Sequence, residues 1–542
     1  MMGPLTSEQE QPLFSYQIHL EKRVRSNHPL RQLAGILDLS FVAPAVRHLY
    51  GRSGNISTDP EVIVKMMLLL FYYNVASERE LVEQIRERLD FLWFLGYDLE
   101  SEIPHHSVLS KARARWGTEL FERLFIRTVE QCVKAGLVDG RLLHVDSTTL
   151  KANASKDSVV KSCPELVSAL RKAYQEQERK LELMSAPPVE VCPAKEPDPP
   201  SAAAAAVESL AATALAEPNS RTTPDRRKKR EGARKLKVNE NHISLTDPEA
   251  QVARFKNGLS ELSYKEHRAV DDAHGVITAV QTTASVVADG TQLPVLIEQH
   301  LSHSDLKLAQ VTVAGDHHYG TASNYLFCNE QAIRAHLAPA SANVQERGQI
   351  PVDQFIYEPD QDRLRCPAGH YLDLHQNKPK EQLKVYLIKD PALCAQCPLR
   401  ERCTDSARGR SVNRHVQAPE IEKARAQAQS PQGRYSRKRR KHVMEGSFAD
   451  AANNHRAKRS RWRGLRRQKI QSWLICAVQN LRQLMRNMAA RSPKGVASLA
   501  TLDLGAVAIL SLAALAQWLG NCPRLGSLFS ARQPMTFECV PT

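Results

Sequence analysis

The apolar pattern of this chain changes its period near residue 140, and that change limits the folds open to it. Upstream, helix-start signals recur at Asp59-Pro60-Glu61 and in the capping-box pattern Ser77 to Glu80, which predicts several short helices over residues 1–138. This helical segment is either a helix-turn-helix DNA reader or a plain helical bundle. Downstream, short apolar runs of strand type are mixed with a helical stretch. The predicted fold class is therefore α/β or α+β.

The order of segments predicts one sheet domain with two interruptions. Its first part covers residues 139–345, and a proline- and alanine-rich stretch with a basic run behind it interrupts that part at 185–240. A cysteine-rich insertion follows at 350–415, and the basic segment 416–490 completes the sheet domain. Residues 491–542 form a tail without an assigned role.

Charge and cysteine content restrict the class of function. The 542 residues include 74 Lys and Arg against 59 Asp and Glu, and the net charge of +15 favours a polyanionic partner, either nucleic acid or an anionic membrane surface. Eleven cysteines are too few for a disulfide scaffold, and no signal peptide opens the chain, so a cytoplasmic protein is expected. The longest apolar run, Leu504 to Leu519, is shorter than the ~20 residues of a membrane span and favours a buried helix.

Four of the cysteines lie close together in the insertion. They are Cys366, Cys394, Cys397 and Cys403. The CxxC spacing of the middle two lets both thiolates converge on one tetrahedral ion, and each cysteine lies beside a turn residue rather than in an apolar stripe. This pattern predicts a structural Zn²⁺ site with no open position for catalysis. The alternatives are four unrelated thiols or a redox pair.

Two carboxylates close apolar runs of the predicted sheet. Asp146 ends one run and Asp316 ends another, so the two are well placed to meet at one sheet edge and hold a divalent cation. Hard oxygen ligands suit Mg²⁺ or Mn²⁺, although an acid often ends a strand simply because it is exposed. Asp271 and Asp272 belong to a hairpin turn, where Asp is common, and Asp272 is a fallback second acid. The histidines at 317–318 could orient water or contact DNA, or be ordinary loop residues.

A third carboxylate, Glu445, lies in the most basic part of the chain. Residues 434–469 contain 14 Lys and Arg against two acids, Glu445 and Asp450. Arg437, Lys441 and Glu445 share one face if the segment is helical. Glu445 is then either a surface salt-bridge former or a metal ligand beside cations that grip phosphates. Three carboxylates about 4 Å apart repel by roughly 4 kcal/mol per pair at an effective dielectric near 20, so such a cluster needs divalent cations.

Four segments together carry a resemblance to a known family. They are the helical region Ser57 to Trp116, the motif HVDSTTLKANAS at 144–155, the segment DPEA at 247–250 with YKEH and VDDAHGVITA behind it, and the cysteine-rich insertion before Glu445. They resemble the DDE transposases of bacterial insertion sequences, nearest to the IS1182 group within the IS4/IS5-like set. The resemblance covers residues 15–485.

The resemblance implies a fold and a reaction. It implies an RNase H-like catalytic core in which Asp146 and Asp316 on strands and Glu445 on a helix bind Mg²⁺ or Mn²⁺. The expected enzyme binds terminal inverted repeats, cuts DNA and transfers strands to target DNA by two-metal phosphodiester chemistry. It is expected to act as a homo-oligomer on DNA, in the nucleoid, without a membrane partner.

Two departures from the family pattern concern its motifs. The second acid stands in Gly315-Asp316-His317-His318-Tyr319-Gly320, where the family has Ala-Asp-x-Gly-Tyr. Around Glu445, Lys441 replaces an Arg and gives up bidentate phosphate binding, and Ala452 replaces a Lys. The residues expected to contact DNA are Arg437, Lys441, Arg456 and Lys458, the last two supplying the cation missing at 452. The departures keep open a decayed transposase that only binds DNA and, thirdly, a metal-dependent nuclease without strand transfer.

Overall fold

The computed structural model describes residues 19–50, 57–185, 238–255, 258–304, 311–339 and 350–491. The basic run at 226–237, almost all of the predicted interruption at 185–240, and the apolar run Leu504 to Leu519 lie outside the described residues. The chain divides into two compact units, residues 1–485 and 486–542, and of the second only residues 486–491 are described. Among the helices described, none is both long and apolar enough to cross a membrane.

The segment before residue 138 is helical throughout its described part, as predicted. The N-cap at Asp59 is confirmed, because its carboxylate accepts a hydrogen bond from the Glu61 N–H at 2.8 Å. Ser77 likewise caps the next helix by accepting from the Glu80 N–H at 3.1 Å. The helices are α1 Leu20–Arg23, α2 Pro29–Ile36, α3 Val42–Val46, α4 Pro60–Tyr72, α5 Glu78–Glu87, α6 Leu89–Leu95, α7 Ser107–Arg115 and α8 Glu119–Lys134.

A six-stranded mixed sheet follows, which confirms the mixed α/β class. Its strands are β1 Leu142–Lys151, β4 Gln251–Arg254, β5 Ser260–Asp271, β6 Ile277–Ala284, β7 Thr312–Gly315 and β8 Arg334–Leu337. The order is β4-β5-β1-β7-β8, and β6 pairs with β5. Strand β1 is antiparallel to β5 and parallel to β7, and β7 is parallel to β8. A separate small ribbon pairs β2 Val159–Lys161 with β3 His242–Ser244.

Strand β1 is longer than the sequence predicts. The apolar run ends at Asp146, but the strand continues to Lys151, which pairs with Ser263 of β5. The polar residues 147–149 extend the strand because β5 supplies hydrogen-bond partners along its whole length, and threonine suits a pleated backbone. Asp146 therefore lies inside β1 and does not end it. It does lie just beyond the part of β1 that pairs with β7.

The two faces of the sheet are covered by different helices. Leu143 and Val145 of β1 point to one face, where they belong to a core cluster with α11 Leu293–Ser304 and α12 Ala322–Glu330. The other face contributes Val270 and Val280 to a larger cluster that contains the helices before residue 138 and the C-terminal helices. The remaining helices on this part of the chain are α9 Pro164–Ser185 and α10 Val238–Asn241.

The cysteine-rich insertion forms its own antiparallel sheet, in the order β13-β12-β11-β10-β9. Its strands are β9 Ile356–Glu358, β10 Arg363–Arg365, β11 Tyr371–Lys378, β12 Leu383–Ile388 and β13 Ser411–His415, with the short helices α13 Pro391–Ala395 and α14 Arg400–Cys403 before β13. A small apolar core of its own includes Phe355, Leu372 and Tyr386. The chain then returns to the main sheet through α15 Ala418–Gln429, α16 Pro431–Asn454 and α17 Leu465–Arg491.

Helix α17 is anchored to the core by an amphipathic stripe. The stripe residues are all buried: Ile470, Trp473, Leu474, Ala477, Val478, Leu481 and Met485. Two buried or half-buried acids of the DPEA segment receive the first N–H groups of the helix. Asp247 accepts from Gly464 at 3.2 Å, and Glu249 accepts from Leu465 at 2.8 Å. Carboxylates at a helix N-terminus satisfy unpaired N–H groups and interact favourably with the helix dipole. The DPEA segment therefore has a structural role at the start of α17.

Asp271, at the end of β5, is buried and accepts backbone hydrogen bonds from Gly140 at 2.8 Å and Ala273 at 3.0 Å. Burial raises its pKa to about 6, against the opposing effect of those N–H groups. In an unfolded chain, the pKa of Asp is about 4. Between these values the folded protein binds the proton more tightly, so this group's contribution to stability is lost as the pH rises.

Replacing Asp271 with Asn removes that proton-binding group. We expect the free energy of unfolding of the wild type, relative to Asp271→Asn, to fall by about 2–3 kcal/mol as the pH rises from about 4 to about 6. Urea unfolding at several pH values measures this difference. A difference that stays constant over this range would contradict the raised pKa.

Candidate active site

Asp146 and Asp316 are neighbours at one edge of the main sheet. Strands β1 and β7 pair in parallel with Leu142 opposite Thr312 and His144 opposite Ala314. Continued by two residues, this register places Asp146 beside Asp316, which directly follows β7. The sheet geometry thus juxtaposes these two predicted site residues.

The carboxylate of Asp146 has two hydrogen-bond partners. Arg440 of α16 donates from Nη1 to Oδ2 at 2.5 Å, and the Ser147 N–H donates to Oδ1 at 2.8 Å. Burial raises the pKa of Asp146 above its ordinary value, the guanidinium of Arg440 lowers it, and the negative charge of Asp316 raises it again. Two carboxylates and one guanidinium, all half-buried, therefore lie close together, and the local charge balance depends on the cation.

Helix α16 lies across the sheet and brings Arg440 to this position. It begins at Pro431, and the preceding Ser430 caps it by accepting from the Gly433 N–H at 3.1 Å. A Cβ atom on Gly433 would lie 2.1 Å from the carbonyl oxygen of Ala428, so only glycine allows α15 and α16 to join this closely. Further along, Ser436 contacts His336 of β8 at 2.9 Å.

A second ionic contact holds α16 at Arg439, the residue before Arg440. Arg439 donates from Nε to Oδ1 of Asp272 at 2.8 Å, and Nε2 of His144 contacts the same oxygen at 2.8 Å. Burial tends to raise the pKa of Asp272, but these two partners outweigh it and the pKa lies below its ordinary value. Asp272, the fallback second acid, is therefore engaged by His144 and Arg439, whereas Asp316 is the acid beside Asp146.

Glu445 is exposed on α16. It follows Arg440 by five residues, which turns its side chain by about 140° around the helix axis relative to Arg440. The charges that act most strongly on Asp146 are those of Arg440 and Asp316, and Glu445 is not among them. Lys441, one turn before Glu445, is exposed on the same side of α16, so these two face solvent together.

The cations predicted to contact DNA differ in their surroundings. Lys441 and Lys458 are exposed, and the backbone carbonyl of Lys458 accepts from the N–H of Lys151 at the end of β1. Arg437 is half-buried and donates to the carbonyl of Ala428. Arg456 donates from Nε to the carbonyl of Asn74 at 3.1 Å. The two arginines thus make contacts within the chain, and the two lysines face outward.

The loop after β7 holds an acid and two histidines together. The carboxylate of Asp316 accepts from the His318 N–H at 2.9 Å, and His317 and His318 are exposed. One carboxylate oxygen and one ring nitrogen from each histidine lie within 4.8 Å of one another. In the part of the chain that the structure describes, this is the single set of three such donors found that close together.

The four predicted zinc ligands line one cavity at the end of the insertion's sheet. Cys366 follows β10, Cys394 lies in α13, Cys397 in the turn behind it, and Cys403 ends α14. Cys366 Sγ accepts from the N–H of His370 at 3.3 Å. Burial raises the pKa of Cys403, and the neighbouring thiols of the other three raise it further. The sulfurs do not form a group of three within 4.8 Å among the described residues, so a tetrahedral ion would draw them inward.

His144 and Arg440 were not among the predicted site residues. Because side chains alternate along a strand, the position of His144 two residues before Asp146 already places both on one face, and this signal was available. No comparable signal distinguishes Arg440, because it stands in the run Arg437 to Lys441, in which every residue is a cation. Only the docking of α16 shows which of them meets Asp146.

Comparison with known protein families gives two matches. Residues 18–115 match the model of a Transposase domain (DUF772), and residues 365–485 match the model of a Transposase DDE domain. The second segment contains Glu445 and the four cysteines, whereas Asp146 and Asp316 lie outside both segments. A search of curated proteins finds no match to the chain. The two family matches support a DDE transposase.

Replacing Arg440 with Met tests the charge balance at the paired aspartates. The variant leaves two neighbouring carboxylates without their cation, and we expect it to lower the free energy of unfolding by about 1–3 kcal/mol. Mg²⁺ should recover more of the stability of this variant than of the wild type, because the metal no longer competes with the guanidinium. Thermal and urea unfolding with and without Mg²⁺ measure both effects.

Arg439→Met is the matched control. It removes the adjacent ion pair, whose two side chains are 39% and 28% exposed, and should cost under about 1 kcal/mol. An equal response of both variants to Mg²⁺ would contradict a special role of Arg440 at Asp146.

Proposed function

We propose that this chain is the DDE transposase of an insertion sequence, of the IS1182 group, which binds terminal inverted repeats, cuts the DNA and joins the strands to target DNA. The observation that carries this proposal is the juxtaposition of Asp146, within β1, and Asp316, directly after the parallel strand β7, with a basic helix lying across them. The two transposase-domain matches support the same class. DNA is then the partner, and synapsis of two ends calls for at least a dimer on DNA.

An RNase H-like core is part of this proposal. It calls for two acids on neighbouring strands of a mixed sheet and a third acid on a helix that packs on that sheet. Asp146 and Asp316 meet the first requirement. Glu445 is the third acid of the proposal on the strength of the family resemblance: it lies on α16, the helix that contacts β1 through Arg440, and in this structure its side chain faces solvent.

The donor set fits Mg²⁺ or Mn²⁺. Asp146 and Asp316 offer hard carboxylate oxygens, and their mutual repulsion, offset here by Arg440, favours a divalent cation between them. The proposed ligands are Asp146, Asp316 and Glu445. Divalent cations at such a site polarise the phosphate and promote ionisation of the attacking hydroxyl.

The protein's own groups have separate roles in the reaction. Asp146 would hold the metal in place of its contact with Arg440, and that guanidinium would then be available to the negatively charged phosphate. Lys441, exposed beside Glu445, holds the DNA backbone as a point charge rather than as a bidentate fork. Lys458, at the far end of β1, extends the same basic surface. Arg437 and Arg456 contribute positive charge while their guanidinium groups hold backbone carbonyls.

A decayed transposase that only binds DNA is the second candidate. The observation that favours it is Ala452, which stands in α16 where the family has a lysine. Lys458, an exposed cation, lies six residues after Ala452, beyond the end of α16. Cleavage of the element's own ends separates these two candidates.

The test of the proposed function uses a labelled duplex that carries the element's terminal repeats together with a target plasmid. We expect the wild type to nick the repeat end and join it to the target in Mg²⁺ or Mn²⁺, but not in EDTA. Asp146→Asn, Asp316→Asn and Glu445→Gln should each lower the cleavage rate by about 10²–10³-fold, as loss of charge stabilisation at a reacting centre does.

Glu420→Gln is the matched control for Glu445→Gln, because Glu420 is also exposed on a helix, in the first turn of α15. It should cleave like the wild type. Binding without cleavage in either metal would favour the decayed protein, and cleavage without joined products would favour a nuclease. Wild-type cleavage by Glu445→Gln would remove Glu445 from the site.

We also propose that Cys366, Cys394, Cys397 and Cys403 bind a structural Zn²⁺. The support is that all four line one cavity, and that the His370 N–H donates to Cys366 Sγ, as neighbouring backbone groups do to thiolates that bind a metal. Four thiolates leave no position for a reacting group, so the ion would stabilise the insertion and take no part in the chemistry.

Metal analysis of the purified protein tests the zinc proposal. We expect about one zinc ion per chain, lost in Cys394→Ser and Cys397→Ser and kept in Cys163→Ser, whose cysteine is exposed outside the insertion. Chelation should remove hydrogen-exchange protection from β9 to β13 while the main sheet stays protected, because zinc contributes folding energy of roughly 10–16 kcal/mol in zinc-finger peptides. Zinc-free protein with a protected insertion would contradict the proposal.

A further inference from the structure

The loop after β7 contains a donor set that differs chemically from the carboxylates of the proposed active site. Asp316 contributes an oxygen, and His317 and His318 each contribute a ring nitrogen, all within 4.8 Å of one another. The two imidazole rings lie 4.0 Å apart between centroids, at an angle of 38°. Two imidazoles and one carboxylate are a common ligand set for first-row transition metals, and a poor one for Mg²⁺, which prefers oxygen.

Hydrogen bonds to neighbouring residues hold this loop in place, so the positions of the three donors are fixed by the fold. The Asp316 carboxylate accepts from the His318 N–H at 2.9 Å. The buried side chain of Asn324 donates to the carbonyls of Tyr319 and Gly290, both at 2.9 Å. A Cβ atom on Gly290 would lie 2.9 Å from the His318 carbonyl oxygen, so a larger residue there would displace the loop.

Both histidine rings are accessible to an incoming ion. His317 and His318 are exposed, whereas the next residue, Tyr319, is buried and anchors the loop in the core between the sheet and α11. The donors therefore face outward at the sheet edge that also presents Asp146. A metal ion at this loop would lie beside the paired aspartates.

We propose that Asp316, His317 and His318 form a three-donor site for a transition-metal ion such as Mn²⁺, and that this site makes the sheet edge prefer Mn²⁺ over Mg²⁺. Imidazole nitrogen suits first-row transition-metal ions, whereas Mg²⁺ takes oxygen ligands. The second histidine occupies the position where a glycine would offer no ligand. The proposal rests on the proposed function only in using Asp316 as a metal ligand.

The experiment measures Mn²⁺ binding to the full chain, with the cysteines kept in their zinc-loaded form, by electron paramagnetic resonance. We expect the pulsed spectrum of bound Mn²⁺ to show modulation from imidazole ¹⁴N in the wild type. The double variant His317→Ala/His318→Ala should lose this modulation. Its Mn²⁺ affinity should fall by at least roughly 10-fold, the cost of losing a group that only hydrogen-bonds to a metal ligand. Its Mg²⁺ affinity should change by less than about twofold.

The chain supplies a matched control in His105 and His106. Their rings have the same separation of 4.0 Å and the same angle of 38°, but the nearest partner of His105 is the Ser107 hydroxyl at 2.9 Å rather than a carboxylate. His105→Ala/His106→Ala should therefore leave both the ¹⁴N modulation and the Mn²⁺ affinity unchanged. An equal loss in this variant, or a wild-type spectrum without ¹⁴N modulation, would overturn the proposal.

Two outcomes separate this inference from the proposed function. If Asp146→Asn abolishes DNA cleavage but removal of both loop histidines leaves Mn²⁺ binding unchanged, the three-donor site is wrong and the proposed function stands. If the wild type shows ¹⁴N-coordinated Mn²⁺ that Asp316→Asn weakens, yet never cleaves repeat-end DNA, the site is supported and the catalytic proposal fails.

Discussion

The contact between helix α16 and the centre of the main sheet decides which cations of the helix meet the acids of the candidate site. Two half-buried carboxylates on adjacent parallel strands repel each other, and a nearby cation offsets that repulsion. Arg440 supplies that cation from α16. The same contact fixes the rotation of the helix, which places Lys441 and Glu445 on its solvent side. Charge neutralisation at Asp146 and presentation of a basic face are therefore consequences of one docking geometry.

A buried ion pair fixes the other half of this helix. Arg268 of β5 bonds to Glu266 at 2.6 Å, to Ser447 Oγ of α16 at 3.0 Å and to Gln479 Oε1 of α17 at 2.9 Å. Both charged partners are almost completely buried, so the desolvation cost is large and the net stabilisation small. The geometric effect is larger, because one guanidinium bonds to a strand and to two helices at once. The pair therefore sets the register in which α16 and α17 pack on β5.

Sequence alone predicted the elements well and the contacts between them poorly. The caps at Asp59 and Ser77 follow from local hydrogen bonding, and the structure confirms them. The continuation of β1 past Asp146 depends on a partner strand more than a hundred residues away, which no local pattern reports. The pairing of Asp146 with Asp316 was predicted from strand ends. The role of Arg440 was not, because five consecutive cations look alike until one face of their helix is buried.

The positive charge of residues 434–469 can likewise be counted from sequence, but the contacts that its side chains make cannot. Its excess of cations suggests a large electrostatic contribution to DNA binding, in which each phosphate contact adds to the salt dependence. Several of these cations are already used inside the fold: Arg439 and Arg440 pair with aspartates, and Arg461 donates to the carbonyls of Val75 and Ala76. Burial lowers the pKa of Arg461 to about 10, which marks it as a structural residue. The charge that can reach a phosphate without breaking a contact belongs to exposed lysines such as Lys441 and Lys458, so the salt dependence of DNA binding should follow these lysines rather than the total of fourteen cations.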